Sequence, residues 1–426
     1  MKNCAFVLMV LLASLAACES GPKGDDNKHT VETAVGFTIP ETAPVLSKAQ
    51  QALSDKVLAF GISLFSNYVE SYPGKDVLLS PMSLSLALSL SGVGAAGETE
   101  TQLSALLGFD GQSKEEVAAY YQTVVGRLLT VDQSVKFSSA NAVWADTEFP
   151  VKDSFSECAA KYFNAPVSNI DFSNKKLLLD TINDWGKTNT NGMIPEILEN
   201  APDKPLVLAN ALYFNAEWGV VFDKDIQVLP FHGAQGDVDA TFFGKKDLFV
   251  FRSLQNCKMI SVPYGKGEYD FVAILPDEGT GVADVVDYFG TKKGLEELSS
   301  FGRSAFENAG MNVEVSLPRF EVRGRYADLA EVLSLMGATM PFDAVKADFS
   351  GISDCPLFIE KIIQESVVKL DEKGTEASAI TVVGMAAATA EDTEPSFEEF
   401  KADRPFVFLI REKGSGAVLF IGVKNC

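Results

Sequence analysis

Residues 366–389 read SVVKLDEKGTEASAITVVGMAAAT, and no other stretch limits the fold as strongly. A β-branched run containing Val367 and Val368 ends in the turn-forming sequence Asp371-Glu372-Lys373-Gly374. A tract dominated by small, uncharged residues follows: Thr375, Ala377, Ser378, Ala379, Thr381, Val382 and Val383. Surface loops fix their turns with Gly, Pro, Asn or Asp, yet between Thr375 and Thr389 only Gly384 is of that kind. Every second residue from Thr375 (Ala377, Ala379, Thr381, Val383, Met385) is small or apolar. This is the period-2 face of a strand that a sheet could bury. The segment reads as a strand not yet placed.

The chain has 426 residues and is 46% hydrophobic, enough for a large core. Lys and Arg number 36 against 58 Asp and Glu, a formal charge of −22. That balance argues against a nucleic-acid partner, whose phosphates require Lys and Arg, and suits a soluble secreted surface. Histidine occurs only at His29, in a polar leader, and at His232. A Ser-His-Asp triad, a Cys-His dyad or a zinc site would rest on His232 alone, and no Ser or Cys motif points to it. Scarce histidine therefore argues against a hydrolase, and no metal or cofactor is expected.

Lys2 precedes an apolar run over 5–13 and then Leu15-Ala16-Ala17-Cys18. The run is too short for a membrane span and reads as a signal peptide, residues 1–17. Its end is similar to the bacterial lipoprotein box, with Cys18 as the lipidated first residue. Glu19 then points weakly to the outer membrane, with a periplasmic or cell-surface location. Residues 18–46 mix Gly, Pro, Thr, Glu and Asp without periodicity and are expected to form a tether. Cys158, Cys257, Cys355 and Cys426 are widely spaced, and isolated thiols are the expected reading, with the pairings left open.

From Ser47, one helical face carries Val57, Gly61, Leu64, Phe65 and Tyr68. Thr99 with Gln102, and Ser113 with Glu116, have capping-box spacing. Leu178, Ile182 and Trp185 predict a further helix closed near Asn191-Gly192. Strands dominate afterwards. Residues 206–214 are apolar enough for a strand buried on both faces, 259–263 and 269–275 flank the turn Gly265-Lys266-Gly267, and 406–410 and 418–423 form a second hairpin. Residues 312–322 alternate, and 326–335 return to helical spacing. Helices early and strands late give an α+β class, with one domain over 47–426.

The hinge sequence Glu372-Lys373-Gly374-Thr375-Glu376-Ala377-Ser378-Ala379 resembles that of the serpins. So do Leu79-Ser80-Pro81-Met82-Ser83, Leu208-Ala209-Asn210-Ala211-Leu212-Tyr213-Phe214 with Trp218, Leu317-Pro318-Arg319-Phe320, Arg404-Pro405-Phe406-Val407-Phe408 and Ala417-Val418-Leu419-Phe420-Ile421-Gly422. The resemblance implies a helical N-terminal half packed on a large central sheet, further sheets, and an exposed reactive-centre loop over about 374–400. It implies a monomeric, non-catalytic inhibitor of serine proteases, with cysteine proteases as a further target class. A protease cleaves the loop, is trapped as its acyl-enzyme, and the loop inserts into the central sheet. The family's spacing from Gly374 puts the scissile bond at Ala388–Thr389, with Met385 and Val383 as alternatives. These small apolar residues suit elastase-like and subtilisin-like enzymes, and no Lys or Arg lies between Gly374 and Ala390 for a trypsin-like one. Ser80, Ser83, Asn210 and Trp218 match the family's control points of sheet opening, and Gln364 stands where many members have histidine.

Two rival functions remain. A non-inhibitory serpin acting as a binding or adhesion protein is weighed against by the small hinge residues. A dinucleotide-binding enzyme rests only on Gly92-Val93-Gly94-Ala95-Ala96-Gly97. Against it, Ser80-Pro81 has the form of an N-cap followed by a first-turn proline, so the preceding Leu/Ser/Ala run reads as a helix.

Overall fold

The computed structural model describes residues 36–426 apart from 149, 193, 195, 202–205, 224–225, 304–306, 308–309, 327–328, 360 and 376–395. The helices are α1 (Lys48–Ser71), α2 (Pro81–Gly94), α3 (Gly97–Leu106), α4 (Lys114–Thr130), α5 (Asp153–Phe163), α6 (Lys175–Asn189), α7 (Val282–Gly290), α8 (Lys292–Ser300) and α9 (Leu329–Leu335). The first strands are β1 (Val77–Leu79), β2 (Lys136–Asp146), β3 (Val167–Ile170), β4 (Leu206–Glu217), β5 (Gln227–Gly233), β6 (Gly236–Ser253), β7 (Cys257–Tyr264) and β8 (Tyr269–Pro276). The remainder are β9 (Met311–Pro318), β10 (Phe320–Tyr326), β11 (Lys361–Asp371), β12 (Gly374–Thr375), β13 (Glu398–Lys401), β14 (Phe406–Glu412) and β15 (Val418–Lys424).

Local chemistry sets several boundaries. At α1 the Gln50 N–H donates to the Ser47 hydroxyl at 3.2 Å, and the Ser47 N–H donates to Gln50 Oε1 at 3.0 Å. Two donors left unpaired at a helix start are thereby satisfied. Ser113 and Glu116 do the same for α4. Thr99 and Gln102 do not: α3 starts at Gly97, so both lie inside the helix. There the Thr99 hydroxyl accepts from the Asp348 N–H, and Gln102 Oε1 accepts from the Met340 N–H. Long-range partners take the side chains that the local pattern assigned to a cap. The alternating run 312–322 is two strands in different sheets, broken at Arg319, and Tyr326 closes β10 ahead of the helix that begins at Leu329. The glycine-rich 92–97 segment ends the buried helix α2 and does not follow a strand.

One sheet runs β10-β11-β12-β4-β2-β3; the other runs β1-β15-β14-β8-β7-β6-β9-β13, with β5 on β6. The main core lies between these sheets and the helices α1 and α2. Helix α2 is buried almost throughout, which explains its uninterrupted Leu/Ser/Ala composition. A second, smaller cluster lies on the outer face of the six-stranded sheet. There Leu178 and Ile182 of α6, with Ile194, Ile197 and Leu198, cover Trp144, Val207, Ala209 and Val367.

The expected tether ends earlier than residue 46. Phe37 is buried in the main core, and the Arg127 guanidinium donates to the Pro44 carbonyl at 3.2 Å. Cys158, Cys257, Cys355 and Cys426 are free thiols. His232 is an exposed residue of β5, its Nδ1 3.0 Å from Asp237 Oδ1.

Inside the larger sheet the Arg411 guanidinium grips both carboxylate oxygens of buried Asp270, at 2.9 and 3.1 Å. Ser261 donates to the same carboxylate, and Arg411 donates to the Leu298 and Phe301 carbonyls. Removing one partner strands a buried charge. Asp270→Ala is expected to destabilise the native form by about 3–5 kcal/mol, read as a lowered midpoint in denaturant unfolding.

Candidate functional site: the sheet seam and the hinge

Strands β4 and β11 run parallel and pair directly from Lys361↔Val207 to Glu365↔Ala211. Above this seam β12 enters between them, antiparallel to both: Thr375 pairs with Leu370 and Ala216, and Gly374 with Asp371 and Glu217. Gly374 has φ +145°, and a Cβ there would fall 2.1 Å from the Ala216 carbonyl oxygen. Only glycine fits this entry point without strain.

Beneath the seam, Ser80 ends the turn out of β1 and precedes Pro81 at the start of α2. Its N–H donates to Gln364 Oε1 at 3.1 Å, and Gln364 Nε2 donates to its carbonyl at 2.9 Å. The Ser80 hydroxyl donates to Ser83 Oγ at 2.8 Å. All three residues are buried. Asn210 is placed in β4, in register between Asn141 of β2 and Gln364. The amide of Gln364 thus bonds both polar groups of one buried residue, because it carries a donor and an acceptor side by side. Next to this clamp, Tyr326 Oη accepts from the Leu78 N–H at 3.0 Å, so β1 is tied to β10 as well as to β11. Gly324 permits that approach: a Cβ there would lie 2.0 Å from the Leu78 carbonyl oxygen.

At the other end, Trp218 holds the turn into the hinge. Its indole N–H donates to the Asp371 carbonyl at 2.8 Å and its backbone N–H to the Lys373 carbonyl at 3.0 Å. The indole stacks on Tyr264 with centroids 4.5 Å apart and planes 8° apart. Tyr264 Oη lies 2.5 Å from Thr375 Oγ1. Burial holds the Tyr264 phenol far above the ordinary tyrosine range, so it stays a neutral O–H. Arg319 grips Glu372 by a two-pronged contact, with both distances 2.7 Å.

The structure therefore brings Ser80, Ser83 and Gln364 into direct contact, sets Asn210 in register beside them, and places Trp218 with Gly374 and Thr375 at the open end. Glu376, Ala377, Ser378, Ala379, Val383, Met385, Ala388, Thr389 and Cys18 lie outside the described residues. Tyr264 and the Arg319–Glu372 pair were not read from sequence as site residues. Tyr264 is one residue in a hairpin beside Gly265, and pairing across 53 residues carries no periodic signal.

Gln364→Leu strands the buried Ser80 N–H, whereas the Ser80 carbonyl keeps the Leu84 N–H at 3.1 Å. It is expected to cost about 1–3 kcal/mol, read as a lower denaturation midpoint. Gln364→Glu is expected to lose the bond to the Ser80 carbonyl, because a carboxylate cannot donate.

Residues 55–425 match the family model described as Serpin (serine protease inhibitor). The chain is 34% identical to leukocyte elastase inhibitor A of Rattus norvegicus, over 87% of this chain and 98% of that protein. It is 31% identical to leukocyte elastase inhibitor of Homo sapiens with the same coverage. The native-state crystal structure of the thermophilic serpin tengpin superposes with a TM-score of 0.77 at 29% identity, covering 92% of this chain and 97% of that one. The α+β class expected from the sequence is that of these neighbours. With a matching sequence model, fold and relatives over most of its length, this chain belongs to the serpin family, described as serine protease inhibitors.

Proposed function

We propose that the chain is a suicide-substrate inhibitor of serine endopeptidases with small apolar primary pockets, elastase-like or subtilisin-like. The observation that carries this reading is the shared register of the seam and the hinge. Gln364 pairs with Asn210 in the closed stretch, while Leu370 and Ala216 flank Thr375 in the open one; both pairs have the same sequence offset. A strand continuing from Thr375 needs only sideways separation of β4 and β11, with no slip.

Continuing that ladder assigns each position of the loop sequence to a face. Ala377, Ala379, Thr381 and Val383 fall on the face shared by Thr375, Leu370 and Gln364, which is buried. Small and apolar residues suit it. Glu376 falls opposite exposed Lys369 on the other face, where a charge is tolerated. A strand of a dozen residues adds on the order of ten backbone hydrogen bonds at about 1 kcal/mol each. That sum of about 10 kcal/mol is comparable with a domain's whole stability, so the native form is a kinetic trap. Strand addition of this kind takes its energy from the main chain and its fit from alternate side chains.

In the reaction, a protease serine attacks the Ala388 carbonyl, breaks the bond to Thr389 and becomes the ester of Ala388. Insertion of the segment from Thr375 then carries the ester-linked protease away from the hinge and distorts it before water completes the hydrolysis. The names of the rat and human relatives favour an elastase-type target. Anchoring through lipidated Cys18 places the inhibitor at a membrane surface in our reading.

Incubation with a neutrophil-type elastase is expected to give a complex that survives boiling in detergent, together with a C-terminal fragment beginning at Thr389 by mass spectrometry. Digestion of the loop at every protease ratio, without complex, would refute inhibition. Thr375→Arg puts a bulky cation against Tyr264 on the buried face and is expected to turn inhibitor into substrate. Undiminished complex formation in that variant counts against insertion. For the anchor, fatty-acid label is expected on the wild-type chain and absent from Cys18→Ser.

A further inference from the structure

We propose that Glu365 is an acid-released brake on the separation of β4 from β11, a device that rests on the insertion reading above. Glu365 occupies the last directly paired position of the seam, opposite Ala211 of β4 and Arg325 of β10. It is the residue at which the closed ladder meets the opened one. Its side chain points away from the Gln364 clamp, to the face covered by α6 and the segment that follows.

The setting is unusual for a carboxylate. Glu365 is half-buried, and its Oε2 is shut off from solvent with no hydrogen-bond partner among the described residues. Charged groups face it from two sides. Arg325 and Arg323 approach from β10, and Glu196 from the segment after α6. Arg325 is itself shared: its guanidinium lies 3.1 Å from Glu199 Oε1 and donates to the Ile197 carbonyl at 3.4 Å. The neighbour from β4, Ala211, carries no charge. Burial pushes the Glu365 carboxyl above the ordinary range, Arg325 and Arg323 pull it back, and Glu196 adds to the rise.

An entering strand changes this balance in one direction. The register places residue 380, an isoleucine, between Glu365 and Ala211 on the same face. An isoleucine there strips the remaining water from the carboxylate and supplies no donor. The charged form thus opposes insertion and the neutral form does not. Because the carboxyl is already raised in the native state, it takes up its proton at a higher pH than an ordinary glutamate. Insertion is therefore slow above its native titration and quickens as pH falls through it. The clamp residue Gln364 does not titrate, so the seam's pH response lies in its neighbour.

The test uses the full chain and no protease. The probe is a fluorescein-labelled, acetylated peptide with the sequence of residues 375–385, whose annealing into the seam is followed by anisotropy. The wild-type rate is expected to rise roughly three- to tenfold as pH is lowered from about 7.5 to about 4, through the carboxylate range. Glu365→Gln, which keeps the shape and removes the charge, is expected to anneal at the fast rate across that range. Arg325→Gln is expected to move the wild-type titration toward neutral pH. A Glu365→Gln variant with the wild-type slope overturns the brake while leaving insertion intact. Failure of the peptide to anneal to any variant, joined to no gain in melting temperature after nicking near Ala388, overturns the insertion reading and the brake with it.

Discussion

The parallel register between β4 and β11 is the constraint from which the rest of the seam follows. Parallel strands pair through evenly spaced, slanted hydrogen bonds and are usually covered on both faces. Here the two strands keep one alignment along their length although β12 separates them at one end. Sideways parting conserves the face of every side chain. A slip of one residue would move Gln364 out of the core and Glu365 into it. With that alignment kept, a strand inserted as proposed would be compatible with the existing core.

Two polar devices hold this seam, and they differ in chemistry. On the core side, Gln364 bonds the Ser80 backbone through a neutral amide, so the clamp is insensitive to protons. At the hinge, Trp218 and Tyr264 use flat stacked rings, with one polar tip each on the turn and on Thr375. Such amphipathic rings exclude water from the entry point while meeting its hydrogen-bonding needs. The arrangement holds β12 in place without closing the gap that it occupies.

Much of this was legible in the sequence, for physical reasons. Gly374 was legible as the start of the hinge, and it stands where the backbone leaves no room for a side chain. The capping box at Ser113 is local chemistry, and it forms; the one at Ser47 is of the same kind but was not read from the sequence. Thr99 and Gln102 show where local chemistry stops: the same residue types served partners more than 200 positions away. Arg319 broke an alternating run into strands of different sheets, which period alone does not reveal. Tyr264, Glu372 and Glu365 owe their roles to neighbours from distant strands. No window of sequence contains those partners. Phe37 escaped notice because one aromatic residue in a polar segment has no periodic company.

The separate cluster beneath α6 has a consequence of its own. Cohesion in this molecule is divided into two unequal droplets: a large continuous one between the sheets, and a small one that seals the outer side of the β4–β11 seam. Leu212, Phe214 and Ala216 of β4 and Ile362, Val368 and Leu370 of β11 belong to the large droplet, while Val207, Ala209 and Val367 of the same two strands belong to the small one. The seam is therefore the wall between two compartments, and any parting of its strands would be felt in both.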